Sequence, residues 1–129
     1  MITVQPIRYV ADVEASRKFY EGLGLELDAE ASFRVWAQLK ADAGAVGIHD
    51  AAVSKGRQPG TAELQLVTDE KLEDVAARLM AKGYECTIEA EDFGRSIRLI
   101  DPDGVELQIQ EVDIARAKRS AAAIPGHDA

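Results

Sequence analysis

The chain opens on an extended pattern from Thr3 to Val10, which reads as a strand. Asp12 then offers an N-cap oxygen, and Glu14 falls in the positive first turn of a helix. Val13, Ser16, Tyr20 and Leu23 recur at helical spacing with Phe19 beside them, and Gly22 and Gly24 supply a stop. Three strands are expected next, over residues 26–28, 33–39 and 45–49, before the turn-forming stretch at 54–60. The same order then returns. Residues 62–67 read as a strand, and Thr68-Asp69-Glu70 opens a helix with Leu72, Val75, Ala76, Leu79 and Met80 on one face. Gly83 closes that helix. Strands at 85–88 and 96–100 lead to the turn Asp101-Pro102-Asp103-Gly104, a last strand at 105–110 and a terminal helix at 113–122.

Two halves of about fifty residues with one order of elements suggest duplication within an α+β domain. The expected bounds are 1–58 for the first half, 59–111 for the second and 112–129 for the terminal helix and tail. Side-chain alternation separates two faces. Phe33, Val35, Ala37 and Leu39 oppose Arg34, Trp36 and Gln38; Val46 and Ile48 oppose Gly47 and His49. Leu64 and Leu66 oppose Glu63, Gln65 and Val67, while Val105, Leu107 and Ile109 oppose Glu106, Gln108 and Gln110. Such faces suit helices on one side, with either a pocket or water on the other.

Composition narrows the function classes. The chain has 129 residues, 47% hydrophobic and 29% charged, which fits one globular domain. No apolar run approaches the roughly 20 residues of a membrane span, and the first residues read as strand, not signal peptide. The single Cys86 cannot form an internal disulfide and has no nearby His to activate it, so a cytoplasmic location is expected. With 23 acidic and 15 basic residues the net charge is −8, which disfavours nucleic acid as a partner.

Three stretches carry a resemblance. Residues 12–24, with Ser16, Phe19-Tyr20 and Leu23-Gly24, resemble the first helix of the vicinal-oxygen-chelate superfamily, the glyoxalase, bleomycin-resistance and extradiol-dioxygenase group. Asp101-Pro102-Asp103-Gly104 before an alternating strand resembles its closing hairpin, and Phe93-Gly94-Arg95-Ser96 a loop of its glyoxalase-like members. The resemblance spans Ile2 to about Glu111. It implies two βαβββ modules forming a curved mixed-sheet half-barrel, with helices outside and a pocket inside, and commonly a homodimer. Val112–Ala122 is a candidate to pack across that interface, or else to cap its own chain.

The resemblance also implies four metal-ligand positions, which fall on Gln5, Gly47, Glu63 and Gln108. Two amides, one carboxylate and a missing side chain make a poor donor set, even with His49 on the face of Gly47. No metal or other cofactor is therefore expected. Gln5, Tyr9, Trp36, Gln38, His49, Glu63, Arg98 and Gln108 are the expected ligand-binding residues, with Tyr9 and Trp36 placed to stack on a planar or aromatic small molecule. Asp50 points away from His49 in a regular strand, so Glu63 is the better orienting partner. Arg95 is expected to pair on the acidic surface and His127 to be solvated in the tail. The expected function is sequestration of a small molecule, of the bleomycin-resistance (antibiotic-resistance) type. The alternative is a glyoxalase-like lyase, isomerase or dioxygenase in which His49 and Glu63 serve catalysis at a nonstandard metal site. A structural or regulatory dimer is the third reading.

Overall fold

The computed structural model describes residues 1–23, 25–100 and 102–124. Gly24, Asp101 and His127, each used above, lie outside the described residues. In chain order the strands are β1 (Ile2–Val4), β2 (Ile7–Val10), β3 (Glu26–Leu27), β4 (Trp36–Ala41), β5 (Gly44–Asp50), β6 (Ala62–Glu63), β7 (Leu66–Thr68), β8 (Thr87–Glu91), β9 (Gly94–Ile100) and β10 (Glu106–Val112). Among the described residues the helices are α1 (Val13–Gly22), α2 (Leu72–Ala81) and α3 (Ile114–Ala122), and Ala51–Val53 makes a 3-10 turn.

The strands form two mixed five-stranded sheets in the orders β1-β7-β10-β9-β8 and β3-β4-β5-β2-β6, without closing into a barrel. This is the expected α+β class. Two expected strands are each split, and the splits face one another. Pro6 has no N–H for a ladder, and the first segment breaks at Gln5-Pro6 into β1 and β2. The later segment breaks at Leu64-Gln65 into β6 and β7. The two segments run antiparallel, pairing Ile2 with Thr68, Val4 with Leu66 and Ile7 with Glu63. At the crossing the Gln5 amide donates to the Gln65 carbonyl at 2.8 Å. Each segment thereby belongs to both sheets.

Each main helix covers one sheet. Leu72, Val75 and Ala76 of α2 pack on Ile97 and Ile109. Val13 and Tyr20 of α1 pack on Val10, Ala37, Leu39 and Ile48. Val35 is buried as expected, while Phe33 reaches the sheet only through an isolated bridge to Trp36. Several assignments need correction. Leu64 is 59% exposed, because it sits where its segment passes between sheets and so misses the cover of α2. Val105 precedes β10 and is exposed, and Met80 lies exposed at the end of α2. Phe19 and Leu23 also face outward. The strand expected at 85–88 is shifted to Thr87–Glu91.

The helix ends differ in how their amides are satisfied. Asp12 accepts from Ala15 N at 3.0 Å, as its N-cap place requires. Lys71, at the N-cap of α2, offers no side-chain cap. A strand residue does the work instead: Glu111 Oε2 accepts from Leu72 N at 3.2 Å, while Arg95 Nε donates to Glu111 Oε1 at 2.9 Å. Arg95 also pairs with Glu73, which fulfils its expected surface role. Gly94, at φ +144°, allows the chain to pass close by, since a Cβ there would lie 2.3 Å from Glu111 O.

The terminal helix caps its own chain. Ser96 is fully buried although α2 lies on the other face of β9. Ala117 and Ala121 of α3 are buried too, and Ser120 Oγ donates to Asp92 O at 2.8 Å. Packing of α3 over β9, on the face of Ser96, accounts for both. Glu111→Ala should destabilise the fold by about 1–2 kcal/mol, because it removes the acceptor for α2 and an Arg95 partner. Glu111→Gln keeps a neutral acceptor and should cost less; equal urea midpoints for the three proteins would contradict this account.

Candidate functional site

The face of each sheet turned away from α1 and α2 carries the expected site residues. Register places them side by side. On β2, β5 and β4, Tyr9 pairs with His49 and His49 with Trp36; one row along, Ile7 pairs with Gly47 and Gly47 with Gln38. In the other sheet Gln108 pairs with Arg98, and Gln110 with Ser96. Gln5 and Gln65 are buried at the crossing between these rows.

Aromatic rings gather on the first sheet. The His49 ring lies 5.5 Å from that of Tyr9 and 5.7 Å, edge to face, from that of Trp36. Gly47 makes room for the indole: a Cβ there would stand 2.1 Å from Trp36 Cη2. Ile7, Tyr9, Ala51 and Trp36 form a small apolar cluster on this face. A chain of amides continues from it. Trp36 Nε1 donates to Gln38 Oε1 at 3.0 Å, and Gln38 Nε2 donates to Gln5 Oε1 at 2.7 Å.

A second network surrounds Glu63. Its Oε1 accepts from Tyr9 Oη at 3.0 Å and from Gln65 Nε2 at 3.3 Å, and its Oε2 accepts from Arg57 Nε at 2.9 Å. Arg57 also donates to Ser54 O at 2.9 Å and lies over the Tyr9 ring, 5.1 Å from its centroid. Gln65 Oε1 accepts from Gln108 N, and Gln110 Nε2 donates to Gln108 Oε1, each at 2.9 Å. Burial pushes the Glu63 carboxyl up, but the Arg57 and Tyr9 hydrogen bonds and the Arg57 charge outweigh it and hold the group below its usual range. Burial, then the Glu63 charge, raises the Tyr9 phenol.

His49 is oriented by the backbone of Asp50, not by a carboxylate. Its Nδ1 lies 2.9 Å from the Asp50 main-chain oxygen, which can only accept. Nδ1 therefore carries the proton, and neutral His49 keeps a lone pair on Nε2. Burial lowers its pKa more than the Asp50 carbonyl raises it. Glu63, expected as the orienting partner, is held by Tyr9, Arg57 and Gln65. Arg98 pairs with Glu91 and, at 3.9 Å, with Glu106. Glu106 also adds its charge near Arg57, which links the two sheets' charged groups. A cleft of about 590 Å3 lies at the β8 edge, walled by Arg98, Glu106, Tyr84, Cys86 and Ile100 among others; it takes in Arg98 but not Tyr9, Trp36, His49 or Glu63.

The four positions implied for a metal do not fit a divalent ion. The space above Gly47 holds the Trp36 indole, Gln5 Oε1 already accepts from Gln38, and the Glu63 charge faces Arg57. Gln108 contributes only a neutral amide. Among the described residues no three His, Cys, Asp or Glu side chains are grouped to hold a metal. Sequence reasoning missed Arg57, whose loop reads only as a turn. A basic residue six positions before an inward carboxylate was the one available signal.

Comparison with known proteins bears on the whole arrangement. No curated protein matches the chain. Solved structures that share the fold include the following three. A structure reported as NAD-dependent benzaldehyde dehydrogenase from Legionella pneumophila is 19% identical, with a TM-score of 0.61 over 85% of this chain and 99% of that one. A glyoxalase/bleomycin resistance protein/dioxygenase superfamily member from Vibrio splendidus is 18% identical, with a TM-score of 0.50 over 84% and 97%. A protein from Methanosarcina mazei is 17% identical, with a TM-score of 0.50 over 86% and 92%. At such identities the likeness speaks for fold alone. A family model matches residues 3–109, and by that match the chain belongs to the Glyoxalase/Bleomycin resistance protein/Dioxygenase superfamily.

Proposed function

We propose that this protein binds and sequesters a small, flat organic molecule without a metal ion, in the bleomycin-resistance manner. The observation that carries the reading is the ring cluster of Tyr9, Trp36 and His49 around Gly47. The half-buried Trp36 and His49 rings, with Tyr9 buried beside them and amide groups near, offer stacking surface and directional contacts to a planar ligand. Gln38 accepts from Trp36 and donates to Gln5, and this reading takes Glu63, Arg98 and Gln108 as further polar contacts for the ligand. Cytoplasmic residence and a twofold homodimer belong to this reading. No described helix is long and apolar enough to cross a membrane. Tyr84, Ile88 and Ile100 leave apolar surface exposed around the edge strand β8, which favours a second subunit there.

A second reading, turnover by a glyoxalase-like lyase, isomerase or dioxygenase, has the neutral His49 in its favour as a general base. Recovery of a bound compound decides between the two. Intact recovery after incubation supports sequestration, whereas a product lost in His49→Ala supports turnover.

Three outcomes follow. A planar ligand should quench the single tryptophan, and Trp36→Ala should weaken binding by about 1 kcal/mol or more through lost stacking; unchanged affinity would count against the site. Chelator should leave the melting temperature unchanged. A native-state metal site would instead contribute about 2.7 kcal/mol at a hundredfold excess of metal over its dissociation constant, so near-stoichiometric zinc, nickel, iron or manganese would overturn the metal-free reading. Sedimentation at micromolar concentration should give a dimer, and a monomer alone would remove that claim.

A further inference from the structure

We infer that His49 Nε2 is a fixed hydrogen-bond acceptor in this pocket, and that it selects flat ligands carrying an O–H or N–H donor at the ring edge. The inference rests on the pocket reading above and adds to it the chemistry of the ligand.

The tautomer is set by geometry. A main-chain carbonyl cannot donate, so the 2.9 Å contact with Asp50 O puts the proton on Nδ1. Among the described residues Nε2 has no hydrogen-bond partner, and no buried side-chain nitrogen or oxygen there is left without one. Nε2 is therefore open to solvent or ligand. The Tyr9 and Trp36 rings flank the imidazole at 5.5 and 5.7 Å. Neither supplies a competing donor: Tyr9 Oη is given to Glu63, and Trp36 Nε1 to Gln38. An acceptor beside two rings, one tilted and one edge to face, with the nearby donors already used, is left for a donor on the ligand. A ring with only acceptor edges would strand Nε2 out of water.

The charged and titratable groups around His49 leave this role intact. Tyr9 faces it from β2, Arg57 from the loop and Glu63 from β6, with Asp50 next on its own strand. Arg57 and Glu63 pair with one another, so neither presents a free charge.

The test uses 2-naphthol and 2-methoxynaphthalene, which share a flat ring system but differ in the O–H donor. Calorimetry at neutral pH should show 2-naphthol binding tighter by several-fold to about tenfold, the range one hydrogen bond supplies. His49→Phe keeps a ring between Tyr9 and Trp36 and should remove the difference. If that variant does not fold, 15N NMR of the wild-type imidazole reads the same point. Nε2 should be unprotonated in the free protein and should shift with 2-naphthol only. Equal binding of the two probes, a preference that survives His49→Phe, or a proton on Nε2 would overturn the inference while leaving the pocket in place. Binding of neither probe would overturn the pocket reading and this inference together.

Discussion

The antiparallel pairing of β1 and β2 with β7 and β6 is the constraint on which the site depends. It is short, and Pro6 interrupts it on one side, yet it ties the two sheets through Gln5 N to Gln65 O. Each crossing segment changes sheets at the same level. Gln5, Ile7 and Tyr9 are thereby brought beside Glu63 and Gln65, from a segment more than fifty residues later. A one-residue slip in this register would turn Tyr9 and Glu63 toward opposite faces and dissolve both networks.

What lies at the crossing is a polar interior whose hydrogen bonds close on themselves. The metal-ligand positions are taken up by an indole over a glycine, by paired amides and by a carboxylate bound to a guanidinium. Burying a carboxylate alone costs several kcal/mol. Here Arg57, Tyr9 and Gln65 supply the compensation an ion would otherwise supply. The Arg57–Glu63 pair also fastens the loop from Ser54 to Gly60 against the site, since Arg57 bonds to Ser54 O as well.

How much of this was legible in the sequence depends on whether an interaction is local. The stripe Leu72, Val75 and Ala76 and the cap Asp12 are set by spacing along one element, and they read correctly. Alternation likewise put Trp36, Gln38, Gly47 and His49 on one face. Leu64 and Met80 failed because periodicity assigns a face without saying where the covering element ends. Arg57 was hidden for another reason: a turn-rich loop carries no periodicity, and its aim at Glu63 is decided by the strand crossing. The role of Asp50 is invisible to alternation, which gives the direction of its side chain and not the aim of its backbone oxygen.

Charge on this face argues further about what it accommodates. The protein carries −8, yet Arg57 is matched by Glu63, and Arg98 by Glu91 and Glu106. An anionic ligand would have to draw a guanidinium from a carboxylate that is partly shielded from water, leaving that carboxylate poorly compensated. A cationic ligand would face the converse loss. A neutral molecule disturbs neither pair and still finds ring faces, amide groups and the lone pair of His49. Self-paired charges with one unspent acceptor thus favour an uncharged, planar, donor-bearing ligand over an ion.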